Sequence, residues 1–560
     1  MSVTATTPIP TEAARIEPRA SWMPMVIIAM AQVLMVFNVS TLQVSIDGIA
    51  SSFNAPATTV GTAIVTYSLV VAGLIMLGAR IAQVFGSRLV FRISVAVFGV
   101  AMAAMAASRG VASMLVAQVV AGLAAAALVP ALVVMVADHY SGQQKAKAIG
   151  WLGGAQPLGV VLAFLIAGYV ATTLGWRFTF GGLFVIAALV FLLSRKLEAR
   201  APPPGVSIDW VGIVLAASAI LLISAGANYL TDWGGLLAQP AAPFSVLDMS
   251  PAPMMIIAGL FLLEAFVSWS RRRTSRGQTP LIALDVVDTR AERSAVFSLF
   301  TIGAIGSGLT FLIPLYIQVV QGGTGLDTAA AVIPFSLASF TSAVLVIGLY
   351  RFASPRQIAR FAFLVTSFAL ALLAAAIRND WGSAAVIIGM VLAGIGEGAL
   401  VALLFNVLVS ASPKTLAGDV GSLRGCTNNL AAGVGTAVAS ALVVSVLGAS
   451  VHRDLVHNAL IPDELKAEFN LNNVPFVGND LLRDALARTP ASPEQVTEAV
   501  RINTDSRLIA LKISFFALAG FALLAFFPAG ALPHTVRSEA ALTEPGQEEA
   551  RAPPAPDSGA

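Results

Sequence analysis

The sequence predicts an all-α polytopic membrane protein, and three observations predict it. Hydrophobic residues make up 57% of the chain and charged residues only 11%, against about 25% charged in an ordinary soluble domain. Mean hydropathy is +0.83, which leaves too little polar material for a wet protein surface. Fourteen runs are long and apolar enough to cross a bilayer, whose hydrocarbon core of roughly 30 Å takes about 20 residues of helix.

The runs fall near 22–46, 58–79, 90–107, 111–136, 148–172, 178–195, 208–230, 252–269, 294–319, 326–350, 358–377, 383–409, 418–447 and 506–528. Taken alternately, the loops on one side hold Arg80, Arg88 and Arg92, then Lys145 and Lys147, then Arg195, Lys196 and Arg200. The same side continues with the arginines of 270–293 and with Arg351, Arg356 and Arg360. The short loops of the other side hold only Arg109, Arg177 and Arg378. Basic loops stay on the cytoplasmic side, so both termini are expected there, in a multi-pass protein of the cytoplasmic (plasma or inner) membrane. The first run is too long and too weakly flanked for a cleaved signal peptide, and its polar leader reads as a tail.

Spacing divides the runs into six, two and six. The expected organisation is a tail at 1–21, a six-helix bundle at 22–196, and a linker at 197–207 marked by Pro202, Pro203 and Pro204. An inserted pair at 208–269 and a basic cytoplasmic loop at 270–293 follow, then a second six-helix bundle at 294–528 and a disordered tail at 529–560. Inside the second bundle an external segment at 448–505 is far longer than an ordinary connection between helices. Its 462–466 and 492–496 stretches read as N-capped short helices.

Composition also excludes several classes of function. A single cysteine, Cys426, permits no internal disulfide or cysteine-based metal cluster, and the four histidines form no close pair. No Gly-rich phosphate loop occurs. The net charge of +3 reflects loops on one side of a membrane and predicts no nucleic-acid surface.

Ordered motifs run along the chain. Ala79-Arg80-Ile81-Ala82-Gln83-Val84-Phe85-Gly86-Ser87-Arg88 follows the second span, and Trp176-Arg177-Phe178 with Phe180 joins the fifth to the sixth. Asp209-Trp210-Val211-Gly212 opens the inserted pair. Pro314-Leu315-Tyr316-Ile317-Gln318, Pro334 and Gly394-Ile395-Gly396-Glu397-Gly398 come later. In this order the chain resembles the major facilitator superfamily, specifically its fourteen-span branch of drug:proton antiporters. The resemblance implies a major facilitator fold of 14 transmembrane helices. It also implies a conformational-switch loop at Arg80, Gly86 and Arg88, and a first span that lines the central cavity.

Departures from the branch pattern are as informative. Where the branch has a proton-binding Asp in the first span this chain has Asn38, and where it has an Arg in the fourth span it has Gln118. Ala163-Phe164-Leu165-Ile166-Ala167-Gly168 replaces the antiporter signature of the fifth span. Asn428 replaces an Arg of the thirteenth, with Arg424 one turn earlier. An amide does not take up and release a proton near neutral pH.

The remaining polar chemistry lies in a few spans. A charge at mid-bilayer costs at least about 2.5 to 3.5 kcal/mol on insertion scales and so marks a cavity or a partner. Glu397, near the middle of its span and flanked by Gly394, Gly396 and Gly398, is the proton-coupling candidate; a structural hydrogen bond to a neighbouring helix is the other reading. Glu264 reads as structural. Asn38, Gln43, Gln118, Asn428 and Arg424 are candidate substrate-cavity contacts, with interhelical hydrogen bonding, and for Arg424 snorkelling to headgroups, as their bland counterparts.

The expected function is a secondary active transporter working by alternating access, exporting an amphipathic small organic molecule or drug. Its expected partners are that substrate, membrane lipid and, for a coupled cycle, the proton. No catalytic residue, cofactor, metal or nucleic acid is expected, and the sequence names no export adaptor. Two other readings stay open: a facilitator or uptake permease of the same fold without proton coupling, and a transport-dead receptor or scaffold working through 448–505.

Overall fold

The computed structural model describes residues 21–534 apart from 141, 199–207, 235–236, 240–241, 246, 279, 282–286, 379–383, 412–416, 457, 459–478 and 487–490. The leader over 1–20, most of the proline linker, the short helix expected at 462–466 and the tail beyond 534 lie outside the described residues.

Helices follow one another in the expected order. They are α1 (Met23–Val44), a short α2 (Ile46–Phe53), α3 (Thr58–Phe85), α4 (Ser87–Ala106), α5 (Val111–His139), α6 (Gly142–Thr173) and α7 (Trp176–Leu193). The inserted pair is α8 (Trp210–Trp233) and α9 (Pro251–Ser275). Then come α10 (Arg290–Leu315), α11 (Gly325–Leu345), α12 (Pro355–Ala376), α13 (Ala384–Ala411), α14 (Ala417–Val456), a short α15 (Asn479–Leu486) and α16 (Pro493–Ala525). Among the described residues thirteen helices are long and apolar enough to cross a membrane, and α6, at the place of the fifth expected span, carries a shorter apolar stretch at Gly159–Thr173. Among the described residues the only β pairing is one bridge, Leu237 to Met249.

Helix starts are set by side-chain caps that satisfy the free amides of the first turn. Thr289 and Glu292 form a reciprocal box at α10, Ser354 and Gln357 at α12, and Ser492 and Gln495 at α16, where Pro493 occupies the first helical position. Asp209 caps α8 by accepting from Gly212 N at 3.0 Å, and the same carboxylate takes the Trp269 indole N–H at 3.0 Å, tying α8 to α9. Between α3 and α4 the chain turns at Gly86 with φ +90°, a conformation that an L side chain resists.

Two expectations about boundaries are corrected. Ser492 does not begin a separate short helix; it begins α16, which continues unbroken because no Gly or Pro occurs between 494 and 519. Likewise α14 carries on past 447 to Val456, 40 residues in all, with no proline in its length.

Packing places the site. The helices before the inserted pair meet those after it lengthwise along two seams, α6 on α11 and α3 on α14. The pair itself packs α8 on α9 and leans α8 against both α3 and α14, across the second seam. The end of the bundle that bears the Gly86 turn is called proximal below, and the end that bears Ser45 distal.

Candidate functional site

Glu397 stands on α13 with glycines on either side, and these glycines seat the helix against two neighbours. A Cβ at Gly394 would collide with the Phe335 carbonyl and one at Gly398 with that of Ser339, both on α11. One at Gly396 would collide with Thr366 on α12. With α11 and α12 drawn in by these contacts, the Glu397 side chain points at α10, where a Cβ at Gly306 would lie 2.9 Å from its carboxyl carbon. Among the described residues no hydrogen bond or ion pair reaches this carboxyl group. It is a membrane-depth acid held without a counter-charge.

One turn nearer the proximal end on α10, Gly303 faces α14, and a Cβ there would lie 3.9 Å from Asn428 Oδ1. Asn428 is exposed although it sits well inside a spanning helix. Gly435, seven residues on and so on the same helical face, packs on the α10 backbone at Ala304, so the face of α14 that bears Asn428 is the one turned toward α10. Arg424, a further turn toward the proximal end, places its guanidinium over the Phe405 ring of α13 with the carbon 4.0 Å from the ring centre. Arg424, Asn428 and Glu397 therefore succeed one another up one side of α10, from the proximal end inward.

Asn38 and Gln118 face each other across α1 and α5. Asn38 Nδ2 donates to Gln118 Oε1 at 2.9 Å and Gln118 Nε2 donates back to Asn38 Oδ1 at 3.2 Å, and both side chains are 0% exposed. The pair is a closed amide clamp, and in this conformation neither group reaches a cavity. Replacing Asn38 by Leu leaves a buried amide unsatisfied, a cost of about 1 to 3 kcal/mol. Thermal unfolding of the purified protein should show that loss, with partial recovery in Asn38→Leu/Gln118→Leu. The pH profile of any flux should not move, since neither group titrates.

Gln43, also buried, contributes its main-chain oxygen to a junction at the distal end. There α10 ends in one π turn, Tyr316–Val320, just after Pro314. From this turn Gln318 Nε2 donates to Gln43 O at 2.9 Å and to Thr328 Oγ1 at 3.0 Å, and Gln318 Oε1 accepts from Asp47 N at 3.1 Å. The two contacts with the first half, at Gln43 and Asp47, fall on either side of Ser45, where α1 breaks and α2 begins. Beside this junction Leu326 N donates to Thr172 Oγ1 at 3.2 Å, and Gly168 and Gly325 bring α6 and α11 backbones together with no room for a Cβ. The distal end is closed, and Gln318 spans the closure. Sequence reasoning gave this residue no role; its signal was Pro314, which loosens the helix one turn before it.

At the proximal end Arg80 donates to Gln83 Oε1 at 2.9 Å and to the carbonyls of Pro280 and Leu281 at 2.7 and 3.2 Å, pinning the basic loop to the α3–α4 turn. Arg88 donates to Arg195 O at 2.9 Å, and Ser87 Oγ to Asp138 Oδ2 at 2.7 Å. Gly86 supplies the turn between them. Among the described residues no cluster of His, Cys, Asp and Glu is arranged to hold a metal ion.

The Major Facilitator Superfamily profile matches residues 28–436. The chain belongs to that superfamily. The chain is 25% identical over 496 residues to the tetracenomycin C resistance and export protein of Streptomyces glaucescens, covering 87% of this chain and 85% of that one. It is 25% identical over 318 residues to the probable transport protein HsrA of Haemophilus influenzae, covering 57% of this chain and 65% of that protein's length. A crystal structure of an auto-inhibited POT family peptide transporter matches with a TM-score of 0.59 over 91% of this chain and 96% of that one, at 17% identity, a likeness of fold. The chain is thus a multi-pass membrane protein of this superfamily.

Proposed function

We propose that the transporter exports an amphipathic small organic molecule by alternating access, the helices before the inserted pair rocking against those after it about a midplane site. Glu397 is the proton-carrying group in this reading. The observation that supports it is a carboxyl group at the middle of α13, between close-packed helices and with no counter-charge among the described residues. Such a group has no structural partner to lose when it changes protonation state, and desolvation gives its two states different costs on the two sides of a cycle. Export is supported by the similarity to the tetracenomycin C resistance and export protein of Streptomyces glaucescens and by the basic loops, which favour a cytoplasmic proximal end.

The Asn38–Gln118 clamp favours a second reading, a facilitator of the same fold, because it puts a neutral amide pair where the antiporter branch has a proton-binding Asp. One measurement separates the two. Inverted membrane vesicles carrying the full chain should concentrate the fluorescent amphiphile 11-(dansylamino)undecanoate when the lumen is made acid, and nigericin should collapse the accumulation. Accumulation that never exceeds the external concentration, with or without the gradient, would establish the facilitator.

A further inference from the structure

We propose that Arg424 and Asn428 form the recognition site for an anionic oxygen on the transported molecule, so that the substrate is an amphipathic organic acid. The inference rests on the transport reading above and names the substrate class that this site accepts.

The geometry around Arg424 carries it. Its guanidinium carbon lies 4.0 Å from the centre of the Phe405 ring, a cation-π contact. A cation-π contact uses none of the five N–H donors of the guanidinium fork. Among the described residues none of them meets an acceptor. The ring contact holds the guanidinium beside Phe405 and leaves its donors unused among the described residues.

Asn428 stands one turn inward on the same face, exposed and on the side of α14 turned toward α10, and its amide likewise has no partner among the described residues. A guanidinium in a spanning helix is costly, and the usual remedy is an acid on a neighbouring helix. Glu397 is the acid that α13 offers at membrane depth, yet it faces Gly306 and forms no ion pair with Arg424. The cation is therefore matched by nothing in the described protein, while a planar fork beside an amide fits a carboxylate, sulfonate or phosphate. Phe405 adds an apolar surface against which the attached carbon skeleton packs.

The test is a binding measurement on the purified full-length protein in uncharged detergent, using three probes of one chain length. These are 11-(dansylamino)undecanoate, its methyl ester and the corresponding dansyl alkylammonium. The wild type should bind the acid with a Kd at least tenfold below those of the ester and the ammonium. Arg424→Gln should raise the Kd of the acid to that of the ester and leave the ester unchanged, which also reports an intact fold. Arg424→Lys should keep part of the preference, because a point charge lacks the fork. Asn428→Ala should weaken the acid by roughly two- to tenfold, the loss of one hydrogen bond.

Tighter binding of the ammonium, or an acid preference that survives in both Arg424 variants, overturns the proposal. Because no gradient enters this measurement, a failure of proton-driven flux would sink the coupling to Glu397 while leaving the acid preference standing.

Discussion

Glu397→Gln is expected to give a folded transporter that binds 11-(dansylamino)undecanoate normally and accumulates none of it under a proton gradient. The substitution keeps the shape of the protonated acid and removes the proton that has to leave. Gradient-driven accumulation in reconstituted vesicles should fall to the level of protein-free vesicles. Exchange of labelled for unlabelled probe, which returns the protein to its starting state without a proton leaving, should persist. Gly306→Ala sets a methyl group where the carboxylate now lies, 2.9 Å from its carbon by the present geometry, and should reproduce much of the defect without touching the acid. Accumulation by Glu397→Gln at the wild-type rate would assign the driving force to another ion or to none.

Gln318→Leu should swing the balance of conformations toward an open distal end. Three hydrogen bonds converge on this side chain, two of them from the first half of the chain. At a net value of about 0.5 to 1.5 kcal/mol each, their loss shifts a two-state equilibrium by roughly tenfold or more. A reporter cysteine at Ile46, buried beside the junction and placed in a Cys426→Ala background, should then react with a maleimide in detergent at least several times faster than in the parent. Gln318→Asn, with a shorter reach, should lie between the two. Equal reaction rates in all three proteins would remove Gln318 from the closure and leave it to the α6–α11 contact at Gly168 and Gly325 alone.

The spans were legible because hydropathy is a local property, read within about 20 residues of any position. Their caps were legible for the same reason at Ser492, and the Gly-flanked Glu397 could be singled out because its neighbours in sequence are also what lets its neighbours in space approach. What the sequence did not reveal depends on pairs far apart along it. Asn38 and Gln118 read separately as cavity contacts, and only the meeting of α1 with α5 across 80 residues turns them into partners for each other. Gln318 reads as part of a motif, since its partner Asp47 is 271 residues away. Arg424 reads as a side chain free to reach the headgroups, and the Phe405 ring beneath it, on another helix, is what holds it inside. The continuous α14 and α16 were missed for a simpler reason. Polar sequence at 449–456 and 493–505 signals an end to the membrane, and a helix does not have to stop there.

The Asn38–Gln118 clamp also decides where a membrane voltage can act. A transmembrane potential does work of about 2.3 kcal/mol on each elementary charge carried across 100 mV, and none on a neutral amide pair. The charged residues of α1 and α3 to α7 cluster at helix ends, at Arg80, Arg88, Arg92, Asp138, Lys145, Lys147 and Arg177, and none occupies the middle of a span. The field consequently finds no handle in the first half of the chain. On the proposed reading it acts instead on Glu397 and Arg424, which would make the second half the moving electrode and the first half the insulated frame against which it works.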